Sequence, residues 1–401
     1  MNKSFDLSIF IPALMLSVLS IILIYAATYY ATSPDLKLIY QRQLVWFVAG
    51  LAICAIIYLV PLKFHEAFAY FYCGFAALIL LFLLFYSRGS AARWLHFGSF
   101  NVQPAELAKL AVAVAVSRYL SFKKIRLDEF GWIFGIILII AVPAGLILIQ
   151  PDLGSSLVFA ALFLAMVFWS GLPAGRIVMV ITPVIGVISA FHWISWGIFI
   201  FLLLILIFVT RLRLWQGAFF FITNLIGGMI TPYIWNNLHD YQKMRIIIFL
   251  DPGRDPRGAG YQIIQSKIAV GAGGFFGQGF LQGTQTKLNF LPERHTDFIF
   301  SVLAEQFGFI GCLTVLVLFC VLFYRGFSVA FKSRNPFNSY LACGLTAVIA
   351  FQVIINIGMT IGLAPVTGLP LPFLSYGGSS MLFFWASIGF LLAINRDWQE
   401  Y

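Results

Sequence analysis

The 401-residue sequence has little charge, since only 10% of its residues are Asp, Glu, Lys or Arg. Soluble domains carry about 25% charged and about 45–50% apolar residues, whereas 61% of this chain is hydrophobic. This composition excludes an ordinary soluble enzyme, a disordered chain and a collagen-like fibre. A helix that crosses a bilayer needs about 20 mostly apolar residues, and the sequence contains many such runs. It therefore predicts a polytopic membrane protein.

Cysteine is also scarce, and none of the five cysteines has the C-x-x-C spacing of a zinc or redox site. All five lie in apolar runs, which predicts small core residues and excludes a disulfide framework. The sequence has no Walker loop, dinucleotide fingerprint or suitably placed His-x-x-x-His, so nothing indicates ATP hydrolysis or redox chemistry. The net charge of +10 resides in loops and not in a basic helix or tail. That distribution is typical of membrane topology and not of nucleic-acid binding.

Hydropathy predicts twelve membrane-spanning helices, at 8–31, 43–61, 66–86, 104–120, 130–150, 153–170, 177–193, 195–210, 216–236, 298–323, 339–363 and 377–394. Cytoplasmic loops carry an excess of Lys and Arg. With the N-terminus inside, the cytoplasmic side receives Lys3, Lys63, Arg118, Lys123, Lys124, Arg126, Arg176, Arg211, Arg213, Arg325, Lys332, Arg334 and Arg396. The opposite short loops hold Lys37, Arg42, Arg88 and Arg93. We therefore expect one all-α membrane domain over 1–401, with both termini in the cytoplasm.

One connection, 237–297, is far longer than the others and lies on the extracytoplasmic side in this topology. Long loops without structure are unusual in compact domains and are commonly functional. Tyr261, Ile264 and Ile268 recur at helical spacing within it, which predicts a short amphipathic helix on the outer membrane surface.

Two polar motifs interrupt the apolar background near the outer side. In Gln103–Lys109, Pro104 suits a first helical turn, so Glu106 and Lys109 lie on one face just inside the membrane. They are either an internal ion pair or a pair that also shapes a site, since charges within spans are commonly functional. Asp152, in the break Gln150–Ser156, either caps the next helix or orients a substrate or cation.

Two further motifs lie in and after the long loop. In Leu291–Asp297, Asp297 is either a helix N-cap or a general base whose pKa is tuned by Arg294 and His295. The prolines and adjacent glycines of 365–380 cannot continue a helix, and irregular backbone at membrane depth must line a cavity or be covered by protein. The residues alone thus leave three classes open: an enzyme acting on a lipid-linked substrate, a transporter and a scaffold.

At these motifs the sequence resembles the SEDS proteins (shape, elongation, division and sporulation), which are bacterial peptidoglycan polymerases acting on lipid II. The resemblance runs from the first span to the last. It rests on the long motifs at 92–111, 150–156, 251–279, 282–308 and 368–380. The segments IIQSKIAVG, GTQTKL and LPERHTD are more similar to the elongation (RodA) branch of the family than to the division (FtsW) branch.

The resemblance implies glycosyl transfer, in which the 4-hydroxyl of one disaccharide-pentapeptide attacks the anomeric carbon of another and undecaprenyl pyrophosphate leaves. The family's essential carboxylate falls on Asp297, the expected general base. Its sensitive acidic residue falls on Asp152, and its paired Glu and Lys fall on Glu106 and Lys109. These three are expected to bind substrate or to shape the cavity. Our hypothesis for further substrate contacts adds Arg93, Lys243, Arg245 and His295, the first three to the diphosphate.

The resemblance also implies surroundings for the reaction. These are a bacterial cytoplasmic (inner) membrane, a class B penicillin-binding protein as transpeptidase partner, other elongation-complex membrane proteins and no nucleic acid. The reaction is also compatible with a divalent cation (Mg²⁺ or Mn²⁺) near the diphosphate, although the sequence does not identify protein ligands for it. A lipid II flippase and a non-catalytic scaffold are the alternatives. The family commonly has ten spans, so the chain departs from it by a two-helix insertion within 177–236.

Overall fold

The computed structural model describes residues 5–31, 33–86, 93–97, 100–122, 131–210, 212–237, 240–256 and 258–398. Each of the twelve predicted spans is a helix. These long helices are α1 (Leu7–Thr28), α3 (Ile39–Leu59), α5 (Ala69–Tyr86), α6 (Pro104–Phe122), α7 (Gly131–Ile149), α8 (Leu153–Trp169), α9 (Ala174–Ser189), α10 (Trp193–Val209), α11 (Leu214–Asn237), α15 (Ile299–Lys332), α16 (Pro336–Ile361) and α17 (Gly378–Trp398). Short helices α2 (Pro34–Lys37) and α4 (Leu62–Ala67) lie in two connections.

Eight helices within the described ranges are long and apolar enough to cross a membrane: α1, α3, α5, α7, α11, α15, α16 and α17. Helices α8, α9 and α10 are apolar but shorter, and α6 carries Glu106, Lys109 and Arg118. The all-α membrane fold is confirmed, and the number of crossings stays a prediction. One small element was missed, an antiparallel pair of β1 (Leu95–Phe97) and β2 (Phe100–Val102) just before α6.

Helix α17 lies at the centre of the bundle. It is buried along almost its whole length and packs against α3, α1, α6, α15 and α16. Its Trp385 is fully buried, and a Cβ at Gly50 of α3 would lie 2.8 Å from the Trp385 ring. A glycine is therefore needed where these two helices approach closely.

The predicted insertion is a small bundle at the side. Helices α9, α10 and α11 pack on one another, and the Asn224 amide donates to Thr182 Oγ1 at 3.0 Å between α11 and α9. They reach the other helices through α8 and through the Phe134–Phe219 ring pair. This arrangement leaves the cavity described below to the other helices.

The long connection is structured in its described parts. It contains α12 (Asp240–Leu250), a 3-10 helix (Pro252–Arg254), α13 (Ala259–Ala272) and α14 (Thr284–Lys287). Helix α13 is the predicted amphipathic helix, but the side that packs against α15 and α16 carries Ile263, Ser266 and Ala269. The predicted face containing Ile268 is left partly exposed, so its contact with a membrane stays a prediction.

Helix α15 is two helices joined at Gly308, whose backbone angles (φ 63°, ψ −159°) are not helical. The Phe309 and Ile310 N–H groups, which begin the second part, donate to the carbonyls of Gly274 and Phe275 at 3.0 and 3.3 Å. These loop carbonyls satisfy donors that a helix N-terminus leaves without intrahelical partners. At the kink, the long loop is therefore hydrogen-bonded to the N-terminus of the second, apolar part of α15.

We expect Gly308→Ala to destabilise the fold by about 2 kcal/mol or more, because this backbone region is essentially restricted to glycine. The added Cβ would also collide with the Gly277 backbone nitrogen and lie 2.7 Å from the Phe275 carbonyl oxygen. Gly274→Ala is the matched control, since Gly274 also has a positive φ (54°) but open space around it, so its cost should be about 1 kcal/mol. Thermal unfolding in detergent compares the two, and equal melting temperatures would contradict the argument.

Candidate active site

The motifs predicted from the sequence meet at one polar cavity of about 210 Å³. Its walls come from the start of α6, the break before α8, the end of the long loop and the segment before α17. The lining residues are Arg93, Trp94, Gln103, Glu106, Pro151, Asp152, Leu153, Ser155, Asp297, Thr367, Gly368, Leu369 and Pro370. Four predicted site residues, Arg93, Glu106, Asp152 and Asp297, are therefore brought together. The predicted cavity-lining role of 365–380 is confirmed by its segment 367–370.

Asp152 both caps a helix and faces the cavity. Its Oδ1 accepts from the Ser155 N–H at 3.0 Å, and its Oδ2 accepts from Ser155 Oγ and Gln103 Nε2, each at 2.9 Å. The N-cap interpretation is confirmed. The same bonds hold the carboxylate fixed at the wall, and Gln103 is a site residue that the sequence reasoning missed.

Arg93 binds the backbone of the turn before α8, which forms part of the cavity wall. Its Nε donates to the Gln150 carbonyl at 2.9 Å, and its Nη2 donates to the Pro151 carbonyl. The guanidinium has further N–H donors, so it can hold this backbone and still present a cation to the cavity.

Glu106 and Lys109 form a buried ion pair on α6. Lys109 Nζ lies 2.7 Å from Glu106 Oε1, and the residues are only 1% and 3% exposed. Lys109 Nζ also lies 5.0 Å from the centre of the Phe383 ring. Glu106 Oε2 has no hydrogen-bond partner within the part of the chain that the structure describes. Glu106 lines the cavity, whereas Lys109 is not among its lining residues.

Asp297 lies directly before the N-terminus of α15. Phe298 occupies the N-cap position, and the helix begins at Ile299. The half-buried Asp297 carboxylate faces Gly368, where an added Cβ would lie 3.6 Å from Oδ2. Its role as general base stays a prediction.

Asn356 joins the two loops that form this wall. This fully buried side chain on α16 donates to the Asp297 carbonyl at 3.0 Å and to the Leu369 carbonyl at 2.8 Å. Both amide hydrogens are thereby used. The sequence analysis missed Asn356, because an isolated Asn in an apolar helix gives no sign of its distant partners.

The loop that carries Asp297 is held by two buried charged residues. Arg294 donates to the carbonyls of Ala27 (2.5 Å) and Thr286 (3.2 Å) and to the Asn289 side chain. Glu305 accepts from the Gln285 N–H at 2.7 Å and from Thr286 Oγ1 at 2.8 Å. The loop is therefore tied to α1 on one side and to α15 on the other.

Besides Lys109, the predicted residues His295 and Lys243 are not among the described residues that line this cavity. His295 faces a second pocket, beside Thr28, and burial keeps the pKa of its imidazole below the ordinary value. Lys243 Nζ donates to the Asn236 carbonyl at 3.0 Å, and the Arg245 side chain lies outside the described residues. Their roles stay predictions.

The described residues contain no cluster of three His, Cys, Asp or Glu side chains with metal-ligand geometry. A divalent cation held jointly by one carboxylate and the diphosphate needs fewer protein ligands than a metal site made by the protein alone, and this cation stays a prediction.

Comparison with known proteins agrees with this architecture. The family model described as "Cell cycle protein" (FTSW_RODA_SPOVE) matches residues 6–197 and 195–400. Peptidoglycan glycosyltransferase MrdB of Escherichia coli K12 is 35% identical over 399 residues, which cover 98% of this chain and 96% of MrdB. Peptidoglycan glycosyltransferase RodA of Treponema pallidum is 32% identical, with 98% of each chain covered.

Solved structures show the same fold. A chain of a peptidoglycan synthase complex that coordinates polymerization and crosslinking superposes with a TM-score of 0.75, at 27% identity and 99% coverage of both chains. The rod shape determining protein RodA of Thermus thermophilus superposes with a TM-score of 0.64 at 24% identity, covering 98% of this chain and 97% of that one. The fold and cavity define a multi-pass helical membrane protein. The chain belongs to the FtsW/RodA/SpoVE family.

Proposed function

We propose that the protein is a peptidoglycan glycosyltransferase of the elongation type, which joins lipid II disaccharide-pentapeptides into glycan strands and releases undecaprenyl pyrophosphate. The observation that carries this proposal is the meeting of Asp297, Asp152, Glu106 and Arg93 at one cavity. The curated names of its relatives support the reaction.

In this mechanism Asp297 accepts the proton of the attacking 4-hydroxyl as that oxygen bonds to the anomeric carbon of the second unit. The bond from that carbon to the diphosphate oxygen breaks, and the diphosphate leaves with the electron pair. Arg93 supplies the cation for its oxygens, since guanidinium suits phosphate geometry. Asp152, held by Ser155 and Gln103, orients a sugar or amide group. No step uses a protein-bound metal.

The cellular setting is part of the same proposal. The long loop faces the outside of the bacterial cytoplasmic membrane, and both termini are cytoplasmic, in line with the positions of Lys and Arg. A class B penicillin-binding protein crosslinks the new strand. The structural neighbour from a synthase complex supports such a partner.

The test is polymerisation of fluorescent lipid II by the purified protein, with and without its penicillin-binding partner. We expect a ladder of glycan products that a muramidase digests. No polymer under either condition, with labelled lipid II still crossing liposome membranes, would support the flippase class instead. Neither polymer nor transport, with the partner's crosslinking of added preformed glycan strands still stimulated, would support a scaffold.

A further inference from the structure

Helix α15 is too long for a single membrane crossing. It has 34 residues, or about 50 Å at about 1.5 Å per residue, against a hydrocarbon core of about 30 Å. The kink at Gly308 divides it, and the part from 309 to 332 spans about 36 Å. This second part suffices to cross a bilayer, so the crossing begins near Phe309.

Segment 273–279 of the long loop lies beside this entry point. The Gln278 and Gly279 N–H groups donate to the carbonyls of Glu305 and Gln306, at 2.9 and 3.1 Å. Together with the two bonds across Gly308 described above, they hold the segment against both parts of α15. Its depth relative to a bilayer is therefore set by the helix and not by the loop.

Three phenylalanines at this place are exposed. Phe275, Phe276 and Phe309 are 59%, 77% and 54% exposed, and the Phe275 and Phe309 rings stack with centroids 5.7 Å apart. Two of them interrupt a run of glycines. The patch continues along α15 into the exposed side chains of Leu313 and Val317, which lie on a face of the membrane-spanning part.

We propose that Phe275, Phe276 and Phe309 form a lipid anchor, inserted at the boundary between head groups and acyl chains of the leaflet next to the long loop. An exposed aromatic cluster at the first turn of a spanning helix suits that boundary, where amphipathic elements insert by about 5–10 Å. Continuity with the apolar face of α15 identifies lipid as the occupant. Through Gln278, Gly279 and α15, the anchor holds the Asp297 loop at head-group height, a consequence that rests on the proposed function.

The anchor is tested without substrate or partner. An environment-sensitive fluorophore is attached at Phe276→Cys in a variant of the full chain whose five native cysteines are replaced, reconstituted in phosphatidylglycerol/phosphatidylethanolamine vesicles. Arg254→Cys is the matched control, because Arg254 is an exposed charged residue in the same loop. We expect lipids with a doxyl group high on the acyl chain to quench the Phe276 label at least about twofold more strongly than the control label. Aqueous iodide should show the opposite order.

Equal quenching of both labels by iodide, with no excess from doxyl lipids, would overturn the anchor and would favour a protein partner on this patch. Phe275→Cys provides a second label position where Phe276→Cys does not purify as a monodisperse protein. Because no polymerisation is measured, failure here leaves the proposed reaction untouched, and failure of the reaction leaves the anchor untouched.

Discussion

Asp297→Asn is expected to lower the rate of lipid II polymerisation by about 10²–10⁴-fold, the usual contribution of a general base. The substitution keeps the shape of the side chain but removes the proton acceptor. It also leaves intact the two contacts that hold the backbone here, the Asn356 bond to the Asp297 carbonyl and the Asp297 N–H bond to the Glu293 carbonyl at 3.1 Å. The loss should therefore appear in kcat, with the melting temperature of the protein unchanged.

Glu293→Gln is the matched control. Glu293 is an exposed carboxylate in the same loop, four residues earlier, and it faces the second pocket with His295. Initial rates of chain formation at saturating lipid II compare wild type and both variants. A fully active Asp297→Asn protein would remove Asp297 from the chemistry, and an equal loss in Glu293→Gln would point to the charge of the loop instead of one base.

The membrane fold could be predicted because the bilayer imposes one simple rule. In an all-helical membrane protein, a spanning segment must satisfy its backbone hydrogen bonds within one apolar helix, so hydropathy located all twelve long helices, including α10 in the inserted bundle. The amphipathic pattern at Tyr261 also predicted a helix, but not which side packs. That depended on Ser266, which bonds to Ser301 Oγ at 2.6 Å and the Thr360 carbonyl at 2.7 Å, partners that are far apart in sequence.

Only some residues of the candidate site could be predicted from the sequence, and the reason differs between charged and uncharged side chains. Charged groups within spans are costly, so Glu106 and Asp152 were visible as interruptions of apolar runs. Gln103 and Asn356 were not, because amides are less conspicuous and their roles come from contacts between distant segments. His295, two residues before Asp297, was expected to share its site, but it lines another pocket, and its role stays a prediction.

Lys109→Met is expected to destabilise the protein by about 3–5 kcal/mol, the usual cost of removing one partner of a buried ion pair. The change leaves the Glu106 carboxylate at 3% exposure without its 2.7 Å partner. The methionine nearly matches the lysine in volume and still packs against Phe383, so the loss comes from the unpaired charge and not from a cavity. Thermal unfolding in detergent measures it, and a melting temperature equal to that of the wild type would show that the carboxylate does not need the lysine.

The double variant Glu106→Gln/Lys109→Met separates the two roles left open for this pair. Replacing both charges removes the unpaired carboxylate, and buried ion pairs are often replaced by neutral groups with little loss of stability. The melting temperature should therefore return close to that of the wild type. Since Glu106 lines the cavity and Lys109 is not among its lining residues, we expect polymerisation to stay impaired in this stable double variant. Recovery of both stability and polymerisation would instead make the pair a purely structural element of α6.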